Sequence, residues 1–250
     1  MLVMSMRESV SLGRIHGIPI EMKLSALLLL LLLALLMSFA QGLVFGLPIG
    51  FGYLSVPWYE KLAMGGLCST VLFLGILVHE VAHSVTAKIK GHEVKRISFV
   101  IFGGEADINE ERRFDIMESE ELIAFMGPAT NLAFGVLFLL MAMILGGSPG
   151  TVPEDALVLS FGVLAFYNLL IGIFNLLPGY PFDGGLILRS YLRKRMDRER
   201  TMVTAVKLCR IIALLIGFVG VLYKDLAVIL IAVLLFMTAY AEYPDYSFRE

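Results

Sequence analysis

Two histidines and a glutamate lie within five residues near the end of an apolar run, in the order His79-Glu80-Val81-Ala82-His83. Residues i and i+4 of a helix are about 40° apart around its axis, so both imidazoles would lie on one face. Such a pair can bind one zinc ion, and the glutamate between them can act on a metal-bound water. The alternative is a surface pair without metal, but the preceding residues 67–78 carry no charge. The pattern therefore predicts a hydrolytic zinc site in a membrane helix.

A catalytic zinc site needs a third protein ligand in addition to water. Asp183 is the only other acidic residue predicted inside the hydrophobic architecture, and it lies in the segment 175–185, NLLPGYPFDGG. Glycines and prolines break the backbone there, and broken backbone at membrane depth usually lines a cavity. Asp183 is thus the predicted third ligand. The alternative is that Asp183 caps a short helix that starts after Gly184, because aspartate is a favoured N-cap residue.

Three further residues are candidates around the metal. Glu80 is the predicted general base, which takes a proton from the zinc-activated water and passes it to the leaving amine. Asn175 has two possible roles. It either hydrogen-bonds to carbonyl groups that Pro178 leaves without a donor, or it holds the substrate backbone or an oxyanion. The second role would make it a catalytic residue. Asn131, in the run Gly127-Pro128-Ala129-Thr130-Asn131, is either a helix-packing residue or a substrate-binding residue.

The composition is that of a membrane protein with several spans. Hydrophobic residues make up 58% and charged residues 17% of the 250 residues, and the mean hydropathy is +0.83. The apolar residues form long runs, as in polytopic membrane proteins. The net charge of −2 and the lack of basic, aromatic-rich stretches argue against a nucleic-acid partner. Cys68 and Cys209 lie in apolar runs, so packed thiols are predicted rather than a disulfide or a metal pair.

The apolar runs predict about six transmembrane helices in one integral membrane domain, residues 1–250. The first run could be a signal peptide, but the later spans favour a retained helix. Residues 1–23 are predicted to lie on the membrane surface. The predicted fold class is all-α and polytopic, with a small β-rich region after the second helix. The predicted spans are 24–40, 62–87, 121–145, 156–177, 203–222 and 226–240.

Basic residues predict the orientation of the chain in the cell membrane. If the N-terminus is inside, the outer loops contain only Lys61 and Lys224 among the lysines and arginines. This bias places both termini in the cytoplasm and the His83 end of the second span toward the cytoplasmic side.

One inner segment has strand character. Residues 94–102, VKRISFVIF, are rich in β-branched and aromatic side chains, and Gly103-Gly104 follows as a turn signal. One interpretation is a short cytoplasmic hairpin. The other is a strand at membrane depth whose open edge faces protein, because open edges are not tolerated against lipid.

The three motifs at 79–83, 127–131 and 175–185 together resemble the site-2 protease family of intramembrane zinc metalloproteases. The resemblance covers roughly residues 62–190, and the third motif is the most specific. It implies that His79, His83 and Asp183 bind one zinc ion, that Glu80 is catalytic and that Asn175 assists. It also implies cleavage of transmembrane protein substrates near the cytoplasmic face.

The resemblance further implies that residues 94–106, with Gly103 and Gly104, bind an unwound substrate as an added strand. The chain departs from the family at Phe182, where leucine is usual. It would be a compact form without PDZ or CBS domains, so substrate choice would depend on the spans, on residues 88–118 or on a partner. A metal transporter or a non-catalytic scaffold of the same fold is the alternative function.

Overall fold

The structure is a computed structural model that describes residues 9–15, 18–92, 94–100, 103–108, 119–179, 182–223 and 226–241. The chain divides into two compact units. The first comprises Met1–Asp115 and Met126–Ile173, and the second comprises Ile116–Phe125 and Phe174–Glu250. The prediction of one domain over residues 1–250 stays a prediction.

The described residues contain seven helices. Four of them contain segments long and apolar enough to cross a membrane by length and composition: Trp58–Ile89, Glu120–Ile144, Ala156–Asn175 and Arg200–Leu222. The first and last helices are apolar but shorter, so the predicted count of six spans stays a prediction. In chain order the helices are α1 Leu24–Phe39, α2 Trp58–Ile89, α3 Glu120–Ile144, α4 Ala156–Asn175, α5 Asp183–Arg193, α6 Arg198–Tyr223 and α7 Leu226–Ala241.

In the first unit, α1 packs along α2, and the segment between them folds back against the core. This segment contains two short paired strands, β3 Leu43–Val44 and β4 Leu47–Pro48. Phe51 in the same segment is fully buried, and the hydroxyl of Tyr167 on α4 donates to the carbonyl of Ile49 at 3.0 Å. Apolar side chains from α1, α2 and α4 therefore meet around one connecting segment.

Helices α3 and α4 approach each other closely at two glycines. A Cβ at Gly135 would lie 2.7 Å from Leu169 Cδ2, and one at Gly172 would lie 2.9 Å from the side chain of Leu132. Each helix thus places a leucine over a glycine of the other. Small residues of this kind let helix backbones approach closely. Close packing matters in a membrane, because no hydrophobic driving force brings the helices together there. The close packing brings the buried faces of α3 and α4 together.

Four strands form a mixed sheet in the order β1-β2-β5-β6. They are β1 Ser9–Ile15, β2 Ile18–Lys23, β5 Val94–Val100 and β6 Gly103–Ile108. The pairs β1–β2 and β5–β6 are antiparallel, and β2–β5 is parallel. The predicted β-rich region after the second helix is therefore one half of a sheet, and the N-terminal segment, predicted only as a surface segment, supplies the other half.

The prediction that Gly103-Gly104 forms the turn is wrong. Gly103 pairs with Val100, and Gly104 pairs with Phe99, so both glycines begin β6. Glycine is a turn signal because of its conformational freedom, but it also occurs within strands, often where another backbone or a ligand approaches closely. Residues 101 and 102, which join the two strands, lie outside the described residues.

The second unit contains the first residues of α3, the end of α4, and helices α5 to α7. Helix α6 packs along α7, and α5 contacts α6. Two ion pairs join α5 to the start of α3, Arg193–Glu120 at 3.4 Å and Lys194–Glu121 at 2.9 Å. The thiol of Cys209 on α6 lies against Gly179. Cys68 and Cys209 are both buried and form no disulfide, so the prediction of packed thiols is confirmed.

The contact between α1 and α2 gives a matched test of this packing. A Cβ at Gly65 would lie 2.6 Å from the Ala34 carbonyl oxygen and 2.9 Å from the Ser38 nitrogen, whereas one at Gly66 meets nothing within 4 Å. We expect Gly65→Ala to cost about 1–3 kcal/mol, as is usual for overpacking. Gly66→Ala should leave stability unchanged or raise it, because alanine is the better helix former. Thermal unfolding in detergent micelles measures both, and equal stabilities would contradict the packing of α1 on α2.

Candidate metal centre

The paired histidines lie where the sequence predicts, one turn apart on α2. His79 is buried, with 4% of its surface exposed, and His83 is half-buried. Their Nε2 atoms are 3.1 Å apart, and their rings meet edge to face with centroids 4.7 Å apart. Two imidazole nitrogens that bind one tetrahedral zinc ion at about 2.0–2.1 Å lie about 3.3 Å from each other. The pair is therefore spaced and directed as two ligands of one ion.

Gly127 on α3 lies directly against the two imidazole rings. A Cβ at this position would lie 2.7 Å from His79 Nε2 and closer still to His83 Nε2. The missing side chain leaves space at the two nitrogen atoms that would face a metal. A zinc ion needs such space beside its ligands, so the residues present fit the group. The run 127–131, for which sequence analysis left helix packing and substrate binding open at Asn131, thus supplies room for the two imidazoles.

The other ring nitrogen of His79 is held by a chain of buried amides. His79 Nδ1 is 2.5 Å from Asn131 Oδ1 on α3. The Nδ2 group of Asn131 donates to Asn168 Oδ1 on α4 at 3.2 Å. The Nδ2 group of Asn168 donates to the Leu164 carbonyl at 2.9 Å. Metal-binding histidines commonly use their second nitrogen in this way, which orients the ring.

Glu80 lies beside His79 on α2, within an apolar span. It is buried, with 8% of its surface exposed. Burial of a carboxylate in such a span is costly, so an acidic residue here marks a functional site. The position next to the imidazole pair is the one that the sequence motif predicts.

Asp183 and Asn175 belong to the second unit. Asn175 is the last residue of α4, and Asp183 is the first residue of α5, with Phe182 at the N-cap position. A Cβ at Gly184 would collide with the carbonyl groups of Leu176 and Leu177, so the start of α5 lies directly on the end of α4. Asp183 is half-buried. It stands at the first helical position, not at the cap where the alternative would put it.

Of the predicted site residues, the structure brings His79, His83 and Asn131 together. Asn131 bonds to His79 and to Asn168, as a residue with a role between helices does, and its contact with a substrate stays a prediction. Asn168 was missed by sequence analysis, although a second asparagine in an apolar helix is a signal that could have found it. Gly103 and Gly104 lie in β6, and their contact with a substrate stays a prediction.

A search of protein families matches the Peptidase family M50 to residues 67–159 and 143–219, together more than half of the chain. The protein Rip3 from Mycobacterium tuberculosis is 36% identical over 217 residues, which are 86% of this chain and 52% of Rip3. Zinc metalloprotease MJ0392 from Methanocaldococcus jannaschii is 27% identical over 237 residues, 95% of this chain and 61% of that protein. The chain thus spans about half the length of Rip3 and somewhat more of MJ0392.

One solved structure has a similar fold over nearly the whole chain. It is the site-2 protease from Methanocaldococcus jannaschii, with a TM-score of 0.56 and 26% sequence identity. The match covers 94% of this chain and 95% of that one. The likeness therefore includes the flanking helices and the sheet as well as the motif-bearing spans.

The space at Gly127 can be tested by filling it. We expect Gly127→Ala to push the two imidazoles apart and to lower zinc content from about one ion per chain to near zero, while the protein still folds. The measurement is elemental analysis of detergent-purified protein that has been supplied with zinc. Gly66→Ala is the matched control, because a Cβ there meets open space. Unchanged zinc content in Gly127→Ala would show that the ion does not bind at these nitrogens.

Proposed function

Because the chain belongs to the site-2 protease family of zinc metalloproteases, we propose that it is an intramembrane endopeptidase. It would hydrolyse peptide bonds of transmembrane protein substrates near the cytoplasmic face. The observation that carries this proposal is the imidazole pair of His79 and His83, with Glu80 buried between them in a helix long and apolar enough to span the membrane. The family relationship establishes zinc as the cofactor.

Asp183 is the proposed third ligand, beside His79 and His83. Helix α4 carries Asn168 next to the His79–Asn131 pair and continues to Asn175. Among the described residues that follow α4, Leu177 N donates to Phe174 O at 3.0 Å and Phe182 N donates to Gly179 O at 2.9 Å. Two imidazoles and one carboxylate form a common ligand set of catalytic zinc.

A zinc ion bound by these residues would supply a Lewis acid that activates water and polarises the scissile carbonyl. In this proposal Glu80 accepts the proton of the attacking water and later donates it to the nitrogen of the leaving amine. The burial of Glu80 suits this role, since a proton acceptor acts best where bulk water does not compete for it. Asn175, at the end of α4, would hold the substrate backbone or its developing oxyanion through its amide.

The sheet offers a way to hold the substrate in a cleavable form. A helical substrate hides its peptide bonds, so the scissile segment must be extended before water can attack it. Strand β6, which begins with Gly103 and Gly104, lies at one edge of the four-stranded sheet in the described residues. In the proposal, an unwound substrate pairs with this edge as an added strand.

The proposed orientation places both termini in the cytoplasm of a cell whose membrane this multi-pass protein crosses. It depends on the distribution of lysine and arginine between the two sides. With the N-terminus inside, the His83 end of α2 faces the cytoplasmic side, and cleavage would take place near that face.

The role of Glu80 separates catalysis from metal binding. We expect Glu80→Gln to keep about one zinc per chain and to lower cleavage at least a hundredfold, because glutamine cannot accept the proton of water. The assay is cleavage of single-span reporter proteins with a glycine or proline in the span, reconstituted with the protease in vesicles. The control is Glu60→Gln, which makes the same change at an exposed site in the first turn of α2. Full activity of Glu80→Gln would rule out the general-base assignment.

Ligation by Asp183 predicts a loss of zinc when only its charge is removed. Asp183→Asn keeps the side-chain volume and the capacity to bond the start of α5, so we expect α5 to persist and zinc content to fall to near zero. Asp197→Asn is the matched control, because Asp197 accepts a hydrogen bond from Arg200 N at the start of α6 and is exposed. Elemental analysis gives zinc per chain, and circular dichroism gives helicity. Undiminished zinc in Asp183→Asn would mean that another residue is the third ligand.

A further inference from the structure

We infer that Asn168 is a positioning residue for the metal centre, which acts through Asn131 to keep His79 Nε2 available as a ligand. This inference rests on the proposed function, because it concerns the same site. Asn168 touches neither the metal position nor the proposed substrate groups. Its effect comes from the direction that it gives to a chain of three hydrogen bonds.

The direction of these hydrogen bonds is set at the end that lies farthest from His79, at the Leu164 carbonyl. A backbone carbonyl can only accept hydrogen bonds, so the Asn168 atom that lies 2.9 Å from the Leu164 oxygen must be the nitrogen Nδ2. The Oδ1 atom of Asn168 then faces Asn131 and accepts from its Nδ2 group at 3.2 Å. Asn131 is left with Oδ1 toward His79 Nδ1. A single carbonyl of α4 thus fixes the orientation of both amides.

The orientation of the amides selects one tautomer of His79. An oxygen that faces Nδ1 requires a proton on that nitrogen, and the neutral ring then carries its lone pair on Nε2. Nε2 is the atom 3.1 Å from His83 Nε2, where the metal would bind. If both amides were reversed, Asn131 would donate to Nδ1, and the proton would move to Nε2 and block the ligand position. The reversed chain would also place two oxygens against each other at Leu164.

Burial makes this arrangement difficult to replace. Asn131 is fully buried, and only 1% of the surface of Asn168 is exposed. Water therefore cannot form hydrogen bonds with an amide in the reversed orientation. Gly75 on α2 leaves the space that this amide occupies, because a Cβ there would lie 3.2 Å from Asn168 Oδ1. A buried amide without its partner is costly, because nothing replaces the hydrogen bonds that water would have made. The hydrogen bonds therefore have one favourable arrangement, in which His79 Nε2 carries the lone pair that would bind the metal.

The first test is the zinc affinity of Asn168→Leu, measured by competition with a chelator on the folded, monodisperse fraction in detergent. Leucine has a similar size but cannot accept from Asn131. We expect zinc affinity to fall about 10–100-fold, the usual cost of losing an outer-shell partner of a metal ligand. Tyr167→Phe is the control. It removes a different hydrogen bond of α4, from the Tyr167 hydroxyl to the Ile49 carbonyl, and leaves the bonds of Asn131 and Asn168 in place. It should lower stability while zinc affinity stays unchanged.

A second pair of variants distinguishes positioning from general damage. In Asn131→Asp both side-chain oxygens are hydrogen-bond acceptors. One of them can therefore accept from His79 Nδ1, whichever group lies opposite the second oxygen. We expect Asn168→Leu to have little further effect on zinc affinity in this background. An equal loss in both backgrounds would mean that Asn168 acts through packing alone, and it would overturn the inference.

The tautomer itself can be read in the metal-free wild type, so the inference does not depend on any variant folding. Nitrogen-15 spectra of histidine-labelled protein distinguish a ring with its proton on Nδ1 from one with its proton on Nε2, and a His79→Gln sample assigns the signal. We expect the Nδ1–H form. A ring with its proton on Nε2 would overturn the inference.

The outcomes for the two proposals are distinct. If wild-type protein binds about one zinc and Asn168→Leu binds it equally well, the positioning role fails and the protease proposal stands. If wild-type protein binds no zinc after the metal is supplied, both fail. If affinity falls in Asn168→Leu but not in Tyr167→Phe, and the loss disappears with Asp at position 131, the positioning role is established.

Discussion

The metal centre depends on one constraint: a polar group buried at membrane depth must find its partner within the protein. Lipid supplies no hydrogen bonds, and an unpaired polar group there is costly. His79 meets this constraint through Asn131, and Asn131 meets it through Asn168. The series ends at a backbone carbonyl of α4, which needs no further partner. Three helices are thereby tied together by side chains that a soluble protein could leave to water.

The same constraint explains why glycines surround the site. Short side chains such as asparagine and histidine can reach one another only if the helix backbones come close. Gly135 and Gly172 let α3 and α4 interlock on the leucines of the opposite helix, and Gly75 leaves room for the Asn168 amide against α2. Gly127 serves a different purpose, because it clears space at the ligand nitrogens themselves. Small residues thus bring the polar groups within bonding distance and also keep the metal position open.

Sequence reasoning found the residues whose chemistry is local and missed those whose role comes from packing. The His79-to-His83 pattern is readable because helical periodicity alone puts both imidazoles on one face. Asn168 lies outside the three motifs, and only the contact of α4 with α3 gives it a function. Strands β1 and β2 were missed for a similar reason, since the parallel partner of β2 lies far along the chain at β5. Gly103 and Gly104 were misread because glycine signals both turns and close strand contacts.

Helix α4 carries Asn168 and Asn175, the two asparagines that are proposed to act at the site. Asn168 and Asn175 are two turns apart, about 20° around the axis and about 10 Å along it, so they lie on nearly the same face. The first belongs to the chain that holds His79, and the second precedes the loop to Asp183. A rotation of α4 would therefore disturb the orientation of a ligand and the position of Asn175 together. The interlocking of Gly135 and Gly172 with their leucines opposes such a rotation. On this argument, the packing of α3 on α4 is as much a part of the proposed catalytic apparatus as the ligands themselves.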